Sequence, residues 1–173
     1  KSIPEVLRMA PGLQVAQISA NSWAVGSRGL NGRFANKLLV LMDGRSVYTP
    51  TFSGVYWDVQ DTMMADIERI EVIRGPGAAL WGANAVNGVI NIISKSAAAT
   101  QGGMASVSAG KEEQITGELR YGGEAGEVGH WRVYGKGFSR DAGLIEAGKL
   151  GGHDDAWQKR AGFRTDLAPD ARN

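Results

Sequence analysis

The sequence contains no cysteine, so this chain has neither disulfide bonds nor a thiolate metal site. Long apolar runs are also missing: the longest, Leu38–Met42, has five residues, whereas a membrane-spanning helix needs about 20. Any membrane-spanning segment must therefore be a β-strand. Charge of one sign is not in excess, because the formal net charge is +1 and the basic residues do not cluster. This balance argues against a nucleic-acid binder.

Residues for catalysis are scarce as well. There are two histidines, and no serine or cysteine has the neighbours that a nucleophile needs. The acidic residues of the central region are predicted to be solvated or salt-bridged: Asp66, Glu68 and Glu71. His153–Asp155 is more typical of a polar loop than of a metal site, and Gly75–Gly77 lacks the ending of a phosphate loop. We predict that the chain is not an enzyme and holds no metal or cofactor.

Glycine is abundant, at 25 of 173 residues. This is about twice the usual 7% and favours many turns and closely packed strands over a helical bundle. The chain opens without a basic-then-apolar leader, almost directly at a predicted helix cap, and it stops straight after a strand-like run. We expect it to be a fragment of a longer protein.

The first half predicts a mixed α and β domain. Ser2 and Glu5 have capping-box spacing before a short helix that Pro11 and Gly12 end. Strands are predicted at Leu13–Gln17 and Trp23–Gly29, and another at Lys37–Met42, whose continuous apolar character indicates burial on both faces. Asp43-Gly44 predicts a tight hairpin turn, and Asp61 a cap for one helical turn.

The most informative stretch is 70–95, IEVIRGPGAALWGANAVNGVINIISK. It predicts a strand, a glycine-rich turn with a segment of small residues, and a second apolar strand. Its sequence, RIEVIRGPGAALWGANAVNGVINIISK with the preceding arginine, resembles the signature of the plug domain of TonB-dependent outer-membrane receptors. The motif positions are Arg74, Gly75, Pro76, Gly82, Gly88 and Asn91. Trp81 and Asn87 depart from the usual tyrosine and glycine, and neither change threatens the fold.

The resemblance implies a fold class, a location and a function. Residues 1–97 would be an α+β plug with a small mixed β-sheet, and 98–173 the first antiparallel strands of an outer-membrane β-barrel of about 22 strands. The whole receptor would lie in the outer membrane of a Gram-negative bacterium and import a scarce nutrient, above all a ferric siderophore. Its energy would come through TonB, whose binding box would lie upstream of Lys1.

The second half supports the barrel by its alternation. Four runs after Gly103 place apolar residues on one face and charged residues on the other. Transmembrane barrels show this pattern, and so does a soluble antiparallel sheet with one buried face. The alternative to the receptor is therefore a soluble periplasmic α+β binding or adhesion module. In either case, open strand edges could let the chain self-associate.

Two sets of site residues follow. Aromatic and polar residues of two loops are predicted to bind ligand, because aromatic side chains rimmed by small polar ones make recognition surfaces. They are Asn21, Ser22, Trp23, Tyr48, Phe52, Tyr56 and Trp57. By resemblance these are apical loops facing the external vestibule, while 30–36 would face the periplasm. Core packing of each aromatic, Trp57 especially, is the alternative.

Arg28 and Arg74, each followed by glycine, form the second set. By resemblance they would latch the plug to carboxylates of the barrel wall. The alternative is a salt bridge within the plug, to Glu71 or Asp43. A buried arginine requires such acceptors, because an unpaired buried charge is costly.

Overall fold

The structure is a computed structural model, and it describes residues 2–29, 32, 37–49, 51, 54–82, 84–111, 113–142 and 154–167. The chain separates into two compact units, Lys1–Ser94 and Lys95–Asn173. This division lies three residues before the boundary expected at 97/98. The assignment of the units as plug and barrel domains remains a prediction at this point.

The first unit begins with a short helix and a hairpin. Helix α1 (Ile3–Leu7) has a proline in its first turn, and the Ser2 N–H donates to Oε2 of Glu5 at 2.7 Å, as capping-box spacing predicts. Strands β1 (Leu13–Ser19) and β2 (Ser22–Ser27) pair antiparallel, apart from the other strands.

A mixed four-stranded sheet forms the centre of this unit. Its strands are β3 (Leu38–Met42), β4 (Arg45–Ser46), β5 (Ile67–Arg74) and β6 (Gly88–Ser94), in the order β4-β3-β6-β5. β3 and β6 are parallel, and the other neighbours are antiparallel. Asp43 and Gly44 both have positive φ, 49° and 77°, so the predicted tight turn is confirmed.

The two central strands are buried on both faces, as the continuous apolar run predicts. Leu38 and Val40 of β3 lie in one hydrophobic cluster with Ile90 of β6, and Leu39 and Leu41 lie in a second cluster on the opposite face. A 3₁₀ turn at Met64–Asp66 and helix α2 (Ala78–Trp81) flank β5. The helical turn before β5 therefore exists, but its N-cap is Met63 and not Asp61, which is buried.

The second unit is one antiparallel sheet after a short turn. A 3₁₀ turn at Ala98–Thr100 leads into β7 (Gly102–Ser108), β8 (Glu113–Glu124), β9 (Gly129–Arg140) and β10 (Ala156–Leu167), which pair in chain order. β8, β9 and β10 have 12 residues each, enough to cross a bilayer at a tilt, which takes about 9–11.

The connections of this sheet differ in length. Only the 3₁₀ turn Gly126–Val128 and one flanking residue separate β8 from β9, whereas residues 141–155 separate β9 from β10. No helix within the described ranges is long and apolar enough to cross a membrane.

Candidate functional site

The glycine-rich stretch builds one edge of the mixed sheet. Gly75 N–H donates to the Asn87 carbonyl at 3.1 Å, and Gly77 N–H donates to the Ala85 carbonyl at 2.8 Å, which folds the turn and α2 back onto the start of β6. A Cβ at Gly88 would overlap the carbonyl oxygen of Ile73. Glycine at this position is therefore required for β5 and β6 to approach each other.

Asn87 connects three strands at this edge. Its N–H donates to the Lys37 carbonyl at 2.8 Å, its carbonyl accepts from Gly75, and its side-chain amide donates to the Ser27 carbonyl at 3.5 Å. The ends of β2 and β5 and the starts of β3 and β6 thus meet here. Sequence reasoning treated Asn87 only as a tolerated departure from glycine and missed the side-chain bond to β2, because its partner Ser27 lies 60 residues away in the sequence.

Arg28 and Arg74 lie at the same edge. Arg28 directly follows β2 in a left-handed conformation, with φ 56°, and its Nη2 atom lies 3.9 Å from where a Cβ of Gly75 would stand. Arg74 is the last residue of β5, and both arginines are exposed in this structure. Their burial against carboxylates of a barrel wall, which would come from other strands, stays a prediction.

The alternative partners of the two arginines are engaged elsewhere. Glu71 accepts from Arg69 Nε at 2.7 Å and from the Asn91 amide at 3.1 Å. Asp43 accepts from Ser94 with both of its oxygens. In the part of the chain that the structure describes, Arg28 and Arg74 form no ion pair. Because their two guanidinium groups are positively charged, this edge of the sheet is suited to bind an anionic group.

Glu71 and Asn91 are opposite each other on β5 and β6. Hydrogen bonds from Arg69 and Asn91 hold the pKa of the Glu71 carboxyl below its ordinary value, and burial opposes this only weakly. Asn91, a signature residue, thereby positions a carboxylate on the sheet. The Arg69–Glu71 ion pair is exposed to solvent, so its electrostatic contribution is small.

The predicted ligand residues divide into two groups. Trp23 and Trp57 are only 3% and 6% exposed and belong to the same hydrophobic cluster. Their predicted exposure is wrong, and the core-packing alternative holds, because both indole rings are buried within that cluster. Arg8 lies over the Trp23 ring, 5.0 Å from its centroid.

The other predicted ligand residues keep accessible surface. Asn21, Ser22 and Tyr48 are half-buried, and Tyr56 is exposed. Tyr48 packs against the cluster that holds both tryptophans, and burial raises the pKa of its phenol. Phe52 and most of 30–36 lie outside the described residues. The structure therefore brings the two loops to one cluster, and their binding of ligand remains a prediction.

The two faces of the second unit are opposite in exposure. Its apolar side chains point outward: Leu119, Trp157 and Phe163 are 65%, 74% and 80% exposed. On β10 exposure alternates strictly along the strand. The same face carries Val107, Ile115, Tyr121, Val133 and Leu167, all exposed.

The opposite face carries charge and is buried or half-buried. Lys136 of β9 lies 3.5 Å from Glu118 of β8, and both side chains are largely enclosed. Arg132 of the same strand is also buried. A soluble sheet would bury the apolar face and expose the charged one, so this arrangement is inverted relative to a soluble domain.

Among the residues the structure covers, no group of three or more histidine, cysteine or acidic side chains could hold a metal ion.

Comparison with known proteins gives a consistent result. Residues 1–89 match the family model of the TonB-dependent receptor plug domain. The chain is 37% identical over 116 residues to the vitamin B12 transporter BtuB of Vibrio vulnificus, covering 66% of this chain and 18% of that protein. It is 32% identical over 168 residues to BtuB of Vibrio cholerae, covering 97% of this chain and 26% of that protein.

Solved structures show the same fold. The copper transporter OprC superposes with a TM-score of 0.74 at 18% identity, over 98% of this chain and 26% of that one. The ferric yersiniabactin uptake receptor FyuA from Yersinia pestis gives 0.69 at 19% identity, over 98% and 27%. The chain therefore spans about a fifth to a quarter of the length of the curated relatives that it matches.

Proposed function

The chain belongs to the TonB-dependent receptors, and from this premise we propose that it is the plug and the first barrel strands of an outer-membrane transporter for a scarce nutrient. Receptors of this family are proteins of the Gram-negative outer membrane, and this is the location of the chain. In the whole protein, the plug would gate the barrel lumen and move when TonB acts on the receptor.

The inverted sheet of the second unit carries this proposal. From Trp157 to Leu167, β10 extends about 33 Å at about 3.3 Å per residue, and a tilt of about 40° reduces this to a height of about 25 Å. This is the height of the apolar band of an outer-membrane barrel. Trp157 lies near one end of the exposed band, and Tyr121 packs against Trp131 near the other, with ring centroids 6.0 Å apart.

The direction of the strands in the membrane follows from their connections. The short β8–β9 turn would face the periplasm, and residues 141–155 would form an external loop, because outer-membrane barrels have short periplasmic turns and longer external loops. A soluble periplasmic module, the alternative, would leave the exposed apolar face in water.

Two ligand classes are to be tested. The two BtuB relatives described above, 37% and 32% identical, are named vitamin B12 transporters, which supports cobalamin as the first probe. The prediction of a ferric siderophore rests on the family resemblance, and structural neighbours of low identity carry no ligand argument beyond the fold. Tyr48 and Tyr56, with Asn21 and Ser22, remain the proposed plug contacts.

The arginine edge is proposed as the plug–barrel latch. Arg28 lies near Gly75, the residue after Arg74, and both arginines are exposed and without ion pairs within the described residues. Their intra-plug alternatives, Glu71 and Asp43, are engaged by Arg69, Asn91 and Ser94. Barrel-wall carboxylates beyond this chain would supply the acceptors. Each buried charged pair formed this way would be specific but not strongly stabilising.

The test is ligand binding by the full-length receptor in outer-membrane vesicles. Cyanocobalamin and a ferric hydroxamate siderophore are titrated separately, and we expect saturable binding of one of them. Tyr56→Ala should weaken binding about tenfold, as loss of one aromatic contact of about 1.4 kcal/mol does. Tyr121→Ala, a control on the proposed lipid face, should bind as the wild type does. Failure of both probes to bind at micromolar concentration would count against a receptor for either class.

A further inference from the structure

Residues 95–101, which join the two units, make several hydrogen bonds through their backbone groups. The Lys95 carbonyl accepts from Nη1 of Arg132 at 2.7 Å, and the Ala97 N–H donates to Oδ2 of Asp166 at 2.5 Å. The Ala97 carbonyl accepts from the Gln101 side chain at 2.6 Å and from the Thr100 N–H at 3.1 Å. A flexible linker would leave these backbone groups to water.

The side chains that hold this stretch come from two barrel strands. Arg132 is on β9, only 4% exposed, and its Nη1 also donates to the Thr100 hydroxyl at 3.2 Å. Asp166 is on β10, where Nε of Arg164 donates to both of its oxygens, at 2.8 and 3.1 Å. A charged group hydrogen-bonded on both sides is fixed in orientation, and such bonds are about twice as strong as neutral ones.

Backbone packing closes the arrangement. Ala97 is fully buried, and Thr100 is nearly so. A Cβ at Gly122 of β8 would overlap the Thr100 carbonyl, so glycine permits the 98–100 turn to lie directly on the strand. Three neighbouring strands, β8, β9 and β10, therefore contribute to the seat of residues 95–101.

A separate clamp holds the chain on the upstream side. Asp43, at the turn between β3 and β4, accepts from the Ser94 N–H at 2.8 Å and from the Ser94 hydroxyl at 2.7 Å. The end of β6 is thus fixed within the first unit. The Ser94–Lys95 peptide bond therefore separates two fixed segments of the chain. Ser94 is held by Asp43 of the first unit, and residues 95–101 are held by strands of the second unit.

We propose that residues 95–101 are a fixed anchor of the second unit, with Arg132 and Asp166 as its positioning residues. When the plug is displaced during transport, the chain upstream of Lys95 moves or unfolds. Residues 95–101 keep their contacts with β8, β9 and β10. The inference rests on the proposed function, because only a transporter displaces its plug. Small residues such as those at 96–103 are typical of a flexible linker, and a linker would extend together with the plug, whereas the anchor would not.

The physical basis is a difference in how the two clamps are bonded. The upstream clamp uses one exposed aspartate on a turn, beside the backbone pairing of Ser94 with Ile67 at the very end of β6. The anchor uses charge-assisted bonds from two buried or half-buried side chains together with packing against a glycine. Force applied from the N-terminus reaches the Asp43–Ser94 clamp first, and the buried anchor after it.

The test is single-molecule extension of the full-length receptor, held in outer-membrane vesicles and pulled from the N-terminus of the plug. In the wild type, extension should stop at Ser94. In an Arg132→Gln/Asp166→Asn double variant, residues 95–101 should also extend, adding about 25 Å of contour length at about 3.6 Å per residue. A Lys111→Gln/Asp155→Asn double variant makes the same charge changes at exposed positions outside the strands and should keep the wild-type length.

Wild-type and double-variant receptors of equal contour length would overturn the proposal. Hydrogen exchange of the wild type gives a second measurement that no folding defect can obscure. The Ala97 amide should exchange slower than an unprotected amide by about 100-fold or more, and exchange at the unprotected rate would also overturn the anchor. Binding of cyanocobalamin or the siderophore by the wild type reports on the proposed function alone, so the two failures are distinguishable.

Discussion

Replacing Phe163 with arginine distinguishes between two hypotheses, that β10 faces lipid and that β10 faces water. Phe163 is 80% exposed and lies near the middle of the exposed apolar band that runs from Trp157 to Leu167 on β10. In water, an exposed substitution of this kind changes the free energy of unfolding by about 0.5 kcal/mol or less. In a bilayer it removes a buried aromatic ring and places a charge near the midplane.

The expected cost in the bilayer follows from these two changes. An arginine on the lipid face near the midplane costs about 2–4 kcal/mol. Loss of the phenylalanine from an apolar environment adds about 1.5–3 kcal/mol. The sum is about 3.5–7 kcal/mol, at least several times the effect expected in water.

Thr165→Arg is the matched control. Thr165 lies on the same exposed face, opposite Trp131 and one side-chain position from Leu167, where the interface should begin. Arginine near the interface costs only about 0–1 kcal/mol. A large difference between the two variants would therefore report depth in the membrane and not charge alone.

The assay is urea-dependent loss of the folded receptor in phospholipid vesicles, followed by its heat-modifiable mobility. Phe163→Arg should lower the urea midpoint strongly, and Thr165→Arg should leave it close to that of the wild type. If both variants unfold at the wild-type midpoint, β10 does not face lipid. The reasoning from the inverted sheet would then be refuted.

Three further predictions concern the plug in the full-length receptor. Gly88→Ala should destabilise it by about 1–3 kcal/mol or more in chemical denaturation, because its Cβ would overlap the Ile73 carbonyl; an unchanged midpoint would show that the strands can separate. Ile90→Ala, at a fully buried position, should cost about 2–5 kcal/mol in the same experiment, and a cost under 1 kcal/mol would contradict the assigned core. Glu71 should titrate below the ordinary value of about 4.3 by NMR, and Asn91→Ala should raise that pKa. Because its folded pKa is lowered, its stabilising contribution is present above about 4.3 and is lost as the pH falls through the folded pKa.

Strong local signals in the sequence were sufficient for most of the fold. The continuous apolar run at Leu38–Met42 correctly predicted a strand buried on both faces, and Asp43-Gly44 correctly predicted its turn. The glycine-rich stretch predicted strand, turn and strand in the right order. These succeed because backbone conformation at glycine and the burial of β-branched residues are decided within a few residues.

Tertiary features were harder to predict. Nothing local distinguishes a tryptophan that binds ligand from one that fills a core, so Trp23 and Trp57 were wrongly expected to be exposed. The same limit applies to Asn87 and to residues 95–101. Small residues are typical of linkers, and the partners that hold these, Arg132 and Asp166, lie far along the chain.

The alternation of apolar and charged residues in the second half is compatible with two environments, water around a soluble sheet and lipid around a barrel. Both a soluble sheet and a barrel alternate apolar and charged residues, and only exposure of the apolar face distinguishes them. That exposure depends on which face the rest of the molecule covers, and periodicity carries no such information.

The central claim is that this chain is part of an outer-membrane receptor with a closed barrel. The most direct measurement is a gel of the outer-membrane fraction of the source organism, with boiled and unboiled samples detected by an antibody against the chain. We predict a band several times larger than 18.4 kDa whose mobility changes on heating. A band near 18.4 kDa in the soluble periplasmic fraction, unchanged by heating, would contradict the claim.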